Sequence, residues 1–133
     1  MVINYSRSAA EAQEAAELCR AKGSEALVVQ ADVSRDAECR KLIQASVERL
    51  GGLDILVNNA GITEFVSFAD LEGLTEEIWE RLFRTNVFGT FYCTRAAVPH
   101  MRKAGSGAIV NVASIAGFLG SGVPSRTPHQ RLQ

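Results

Sequence analysis

The chain has 133 residues, 47% hydrophobic and 22% charged, with a formal net charge of −1. Those totals fit one globular domain at most, large enough to bury a core, and near-neutrality gives no electrostatic attraction for nucleic acid or an anionic membrane surface. Cys19, Cys39 and Cys93 are widely separated, with no Cys-x-x-Cys and no clustered histidines; they read as reduced thiols of a cytoplasmic protein rather than as a disulfide framework or a metal site. No apolar run spans a bilayer, and the first residues lack a signal-peptide pattern.

Along the chain two periods alternate. "VINY" (2–5) is a short β-type run. Ala- and Glu-rich text from Ser8 to Lys22 predicts a helix, with Ser8 as N-cap and Gly23 as stop. "EALVVQADVS" (25–34) reads as a strand. From Arg35 to Leu50 an apolar stripe predicts a second helix, ended by Gly51 and Gly52. "LDILVNNAG" (53–61) has the form of a strand buried on both faces. One long helix is predicted over roughly Thr75 to Lys103, its last turns kinked or loosened by Pro99. "GAIVNVAS" (107–114) is the next buried strand. Strands alternating with helices predict a parallel, doubly wound α/β sheet of Rossmann type.

In such sheets ligands bind beyond the carboxyl ends of the strands. Those ends carry Asn4-Tyr5-Ser6-Arg7, Asp32-Val33, Asn58-Asn59-Ala60-Gly61, and Ser114. Each residue is an ordinary turn former on its own, but four successive strand ends offer small polar groups on one rim.

"DILVNNAG", "TNVFGTF" and "IVNVAS", in that order and spacing, resemble the short-chain dehydrogenase/reductase family, and most closely its bacterial 3-oxoacyl-carrier-protein reductases. The resemblance covers residues 1–120 as a partial dinucleotide-binding domain; residues 121–133 depart from it and are expected to be disordered. It implies an oxidoreductase interconverting a carbonyl and an alcohol with a nicotinamide cofactor. It implies that Asn58, Ala60 and Gly61 line the cofactor cleft, that Asp32 accepts from the adenine amino group, and that Val33 donates from its backbone. A helix N-cap is the competing role for Asp32, with Ser34 as rival. Asn86 is implied to hold a water in a proton relay, against the alternative of an Asn tolerated in a helix. Ser114 is implied to hydrogen-bond the substrate oxygen; Asn111 braces its strand.

Where an NAD site carries a carboxylate, at the end of the first strand, stand Ser6 and Arg7, and a guanidinium there suits the 2′-phosphate of NADP(H) over NAD(H). The competing role for Arg7 is a solvated residue before a helix. On the long helix Ile78, Leu82, Phe83, Phe88, Phe91 and Tyr92 exceed one sheet-facing stripe. The family commonly pairs this helix with its copy, so the resemblance implies a homodimer or homotetramer acting on a small or carrier-bound carbonyl substrate; plain burial of an amphipathic helix is the competing reading.

Two family pieces have no counterpart here: the first strand with its Gly-rich turn, and the Tyr-x-x-x-Lys that follows the serine. The only tyrosines are Tyr5 and Tyr92, and no lysine follows Lys103. In the family that Tyr is the general acid/base and the Lys lowers its pKa, so the chain by itself is expected to be inactive. The alternatives are a non-catalytic nucleotide-binding remnant and a frameshifted product without function.

The tail favours a frameshift. Read from the third base of the Arg126 codon, bases able to encode Arg126–Gln133 can also encode Tyr-Thr-Ala-Ser-Lys-Ala-Ala. Degeneracy equally permits His, Asn or Asp for that Tyr and Glu for that Lys, and an authentic divergent tail is the competing reading. The expected outcome of sequencing the gene is a one- or two-base insertion or deletion between the codons of Phe118 and Ser125. A shifted frame without Tyr and Lys codons, or one that stops at once, removes the idea.

Overall fold

The structure, a computed structural model, describes residues 1–67 and 69–115. The expected tail at 121–133 lies outside the described residues, as does the end of the 1–120 unit beyond Ile115. Among the described residues four short strands alternate with helices: β1 (Val2–Tyr5), α1 (Ala9–Ala21), β2 (Leu27–Gln30), α2 (Asp36–Leu50), β3 (Ile55–Asn58), α3 (Glu76–Phe83), α4 (Thr90–Ala104) and β4 (Ala108–Asn111). Between α3 and α4 the helix is not interrupted but widened into a π-helical segment, Arg84–Gly89. The parallel α/β class predicted from the alternation is what the chain adopts.

Helix boundaries follow local chemistry. α2 opens with Asp36 and Glu38 and closes with Arg49, each charge set against the helix dipole. It stops at Gly51, whose φ of 78° is the left-handed conformation a Cβ disfavours, and whose N–H donates to Val47 O at 2.9 Å. Ser8 does occupy the N-cap of α1, but its side chain makes no capping bond. Asp32 does not cap α2 either: the N-cap is Arg35, in extended conformation. Pro99, the residue placed to kink or loosen the last turns, lies inside α4, which continues to Ala104. Met101 on the turn beyond it is buried against Ile43 and Ala97, and that packing holds the helix despite the missing N–H.

The strands form two parallel pairs. Val2–Tyr5 faces Leu27–Gln30 residue for residue, and Ile55–Asn58 faces Ala108–Asn111. Among the described residues neither pair is hydrogen-bonded to the other. What joins them is a helical layer: α2 and α4 pack along each other, and Leu56 of β3 packs against both buried clusters that the two helices build. One cluster is Val33, Cys39 and Cys93; the other is Ile43, Ala97 and Met101. Arg95 of α4 adds an ion pair to Asp36 at 2.7 Å while lying over the rings of Phe91 and Tyr92, 5.0 and 5.4 Å from their centroids. Hydrogen bonds from Arg95 and then Arg40 hold the Asp36 carboxyl below the usual carboxylate range.

The second pair corrects one expectation. β3 and β4 read as strands buried on both faces, but only the Leu56 side of β3 is covered; Ile55 and Val57 point to the other side and are exposed, as are Ile109, Val110 and Val112. The apolar text is that of a sheet with two covering layers, and the described residues supply one for these strands. Each uncovered Val or Ile forgoes roughly 1.5–3 kcal/mol of burial free energy, and bare edges invite association.

The isolated chain is therefore expected to bind a hydrophobic dye such as anilinonaphthalene sulfonate and to self-associate. Replacing Ile55 and Val57 by Thr should reduce both dye fluorescence and association. Unchanged dye binding in that variant would show that the face is covered.

Candidate functional site

The carboxyl ends of the four strands form one rim, and a chain of contacts runs along it. At the end of β1, Ser6 and Arg7 are exposed, with the Ser6 carbonyl accepting from Gln30 Nε2 at 3.1 Å. The Ala31 N–H donates to Tyr5 O at 2.9 Å and Tyr5 faces Gln30 in the ladder, which brings the first two ends together. Asp32 makes a local turn: its Oδ1 accepts from the Ser34 N–H at 3.0 Å, and its Oδ2 lies 3.7 Å from Arg35 Nε. Partial burial raises this carboxyl, but hydrogen bonds from Ser34, with Arg35 and Arg7, outweigh it and hold Asp32 below its ordinary value. The side chain remains 45% exposed and ionised, an open acceptor.

Val33 is buried at 9% exposure. Its position is set by Gly89. A Cβ at Gly89 would stand 3.0 Å from Val33 Cγ2 and 3.1 Å from Val33 O, tighter than packed side chains normally approach. The glycine of "TNVFGTF" thus lets the π-helical segment lie directly on the end of β2.

Three residues earlier on the same segment, Asn86 reaches the end of β3. Its Oδ1 accepts from Ile62 N–H at 2.8 Å and its Nδ2 donates to Ile62 O at 2.9 Å, a two-point clasp on the loop just past Asn58-Asn59-Ala60-Gly61. The Asn86 carbonyl accepts from Thr90 Oγ1 at 3.2 Å. The π-turn is what aims this side chain: the inserted residue shifts the helix face so that Asn86 and Gly89 address different strands. The cost of Asn in a helix is offset by these two backbone bonds. Ala60 and Gly61 are exposed beside the clasp.

Asn58 crosses to the fourth end. Its Nδ2 donates to Asn111 Oδ1 at 2.8 Å, its register partner on β4, and to Thr94 Oγ1 of α4 at 3.2 Å. Asn58 and Asn111 thus brace the strands, and Asn58 reaches the cleft through its backbone and neighbours rather than with a free amide. Ser114 follows β4 by three residues and is exposed on the rim. Gly89, Thr94 and Ile62 complete the rim and were not singled out from sequence. The signal for Gly89 was its place in the "TNVFGTF" text; the other two act through a hydroxyl and a backbone that no pattern marks.

The comparisons with known proteins agree with this geometry. The family model of the short chain dehydrogenases matches residues 1–125. The chain belongs to the short-chain dehydrogenase family. A protein of Streptomyces violaceoruber named for ketoacyl reduction in the granaticin polyketide synthase is 44% identical over 126 residues, 93% of this chain and 49% of that relative. The 3-oxoacyl-[acyl-carrier-protein] reductase of Staphylococcus epidermidis is 36% identical over 121 residues, 91% of this chain and 48% of its own. Among solved structures, an NADH-dependent reductase of alginate metabolism superposes with a TM-score of 0.79 at 29% identity, covering 92% of this chain and 51% of that one. The chain spans about half the length of the curated relatives it matches. Among its described residues no helix is long and apolar enough to cross a membrane.

The clasp yields a prediction for this short-chain dehydrogenase chain. Asn86→Ala should leave the α2–α4 layer intact but speed amide exchange at Ile62 by about fivefold, the loss of a hydrogen bond of ~1 kcal/mol. Unchanged exchange at Ile62, measured by NMR, would show that the loop is held by other contacts.

Proposed function

We propose that residues 1–120 form the cofactor-facing part of an NADPH-dependent carbonyl reductase, a cytoplasmic enzyme acting on a small or carrier-bound carbonyl, with residues 121–133 outside that unit. The observation that carries this reading is the rim: four strand ends joined by Gln30–Ser6, Gly89–Val33, Asn86–Ile62 and Asn58–Asn111. Gly61 supports it. A Cβ there would meet Asn86 Oδ1 at 3.5 Å, ordinary contact, and its φ is not positive. The fold by itself does not need a glycine at that place; a backbone-hugging ligand does.

In this reading Ala60 and Gly61 let the ribose and pyrophosphate approach, Asp32 accepts from adenine, and the Val33 backbone borders it. Ser6 and Arg7 meet the adenosine ribose, where the guanidinium pairs a 2′-phosphate. The solved neighbour that takes NADH makes this the feature to test. When bound, the cofactor supplies the hydride that reduces the carbonyl carbon. Ser114 donates its hydroxyl hydrogen bond to the carbonyl oxygen, and Asn86 keeps the relay water at the rim. Neither can furnish a proton at neutral pH. The sequence 1–133 contains no Tyr-x-x-x-Lys, so these residues bind and orient while the general acid has to come from outside them; alone they give no turnover. The exposed row of Trp79, Phe83, Val87, Phe88 and Phe91 supports pairing of the α3–α4 face with its copy in a homodimer or homotetramer.

Titration with NADPH and NADH tests the reading. NADPH should bind more tightly, and Arg7→Ala should weaken it by on the order of tenfold or more, as expected for a lost charge-assisted contact, while leaving NADH nearly unchanged. Equal losses would return Arg7 to the surface. Failure of the wild-type chain to bind either nucleotide would favour a product without function, and turnover by the chain alone would contradict the missing-acid assignment.

A further inference from the structure

The mechanism leaves two nucleophiles unused in the middle of the helical layer. Cys39 of α2 is fully buried and Cys93 of α4 is 4% exposed, and they share one cluster with Val33. Both are free thiols. Their helices are packed neighbours, and the Cys39 S–H donates to Val33 O at 3.2 Å. The third thiol, Cys19, is half-buried on α1 beside Met1 Sδ at 3.7 Å, outside this cluster.

We infer that Cys39 and Cys93 are a redox pair that closes to a disulfide joining α2 to α4. Two thiols in one buried cluster on packed helices have the placement a disulfide needs, since Cα separations beyond about 7 Å cannot be bridged without backbone movement. Their proton chemistry is shared. Interaction with the neighbouring Cys93 thiol, and then burial, pushes the Cys39 thiol up, while interaction with Cys39 lowers Cys93 despite its burial. Cys93 is thus the thiol that ionises first and Cys39 its resolving partner.

The oxidant is a hydroperoxide, small enough to reach the 4% of Cys93 that is exposed. The Cys93 thiolate attacks one peroxide oxygen, the O–O bond breaks, and the departing hydroxide takes up a proton as water. The Cys39 sulfur then attacks the Cys93 sulfenic acid; the S–S bond forms and a second water leaves with the Cys39 proton. Two thiols are oxidised and one peroxide is reduced to two waters. Closure also removes the S–H that the Val33 carbonyl accepts.

The test uses the 133-residue chain with hydrogen peroxide, followed by alkylation and mass spectrometry of non-reduced peptides, with and without urea. In an unfolded chain the shorter loop wins: Cys19–Cys39 spans twenty residues and Cys39–Cys93 fifty-four, so ring closure favours the former by about fourfold. Without urea the expected product is the Cys39–Cys93 link, several-fold in excess, and urea should invert the ratio. Dithiothreitol should restore both thiols. A Cys19→Ser chain should still lose two hydrogens through the same link. Predominance of Cys19–Cys39 without urea, or sulfinic acid or intermolecular links at Cys39 or Cys93, would overturn the assignment.

Discussion

One π-helical segment, making two close approaches, is what the rim depends on. Gly89 brings the segment against Val33, and Asn86 clasps the backbone of Ile62. The first contact belongs to the β1–β2 pair and the second to the β3–β4 pair, and no backbone ladder joins those pairs among the described residues. A regular α-helix places residues three apart on nearly one face. The wider turn spreads them, so one element grips two strand ends. This is a structural cause for a π-turn at a site where functional groups converge.

Beneath that joint lies the α2–α4 layer, whose buried clusters reach Leu56 of β3 on one side and Val33 beyond β2 on the other. Dispersion and burial in this layer, rather than strand pairing, set where the two halves of the rim stand. The same economy leaves the far face of β3–β4 bare. Residues written for a covered sheet meet solvent there, and the site is held from one side only.

Much of this was legible in the sequence. The alternation of periods gave the α/β class, the switch from apolar run to Asn-Asn-Ala-Gly marked the end of β3, and the strand ends gathered Arg7, Asp32, Asn58, Gly61 and Ser114 on one rim. Three things were not legible, each for a physical reason. A π-turn keeps nearly the composition and period of an α-helix, so the Thr75–Lys103 text read as a single regular helix. The clasp of Asn86 is to a backbone, and Ile62 leaves no mark of that in its side chain. The exposure of Ile55, Val57 and Val110 depends on what packs over them, which a local apolar run does not encode.

In the proposed function the dinucleotide lies on the rim and not in the groove between α2 and α4, a cavity of about 610 Å³ lined in part by Lys41, Ile43, Ala96 and His100. Backbone amide shifts of the isotopically labelled chain, recorded while NADPH is added, distinguish the two directly. The predicted footprint is Ser6–Arg7, Asp32–Val33, Asn59–Ile62 and Asn86, with the groove residues unmoved. Shifts confined to Lys41, Gln44, Ala96 and His100, with the strand ends silent, would contradict it.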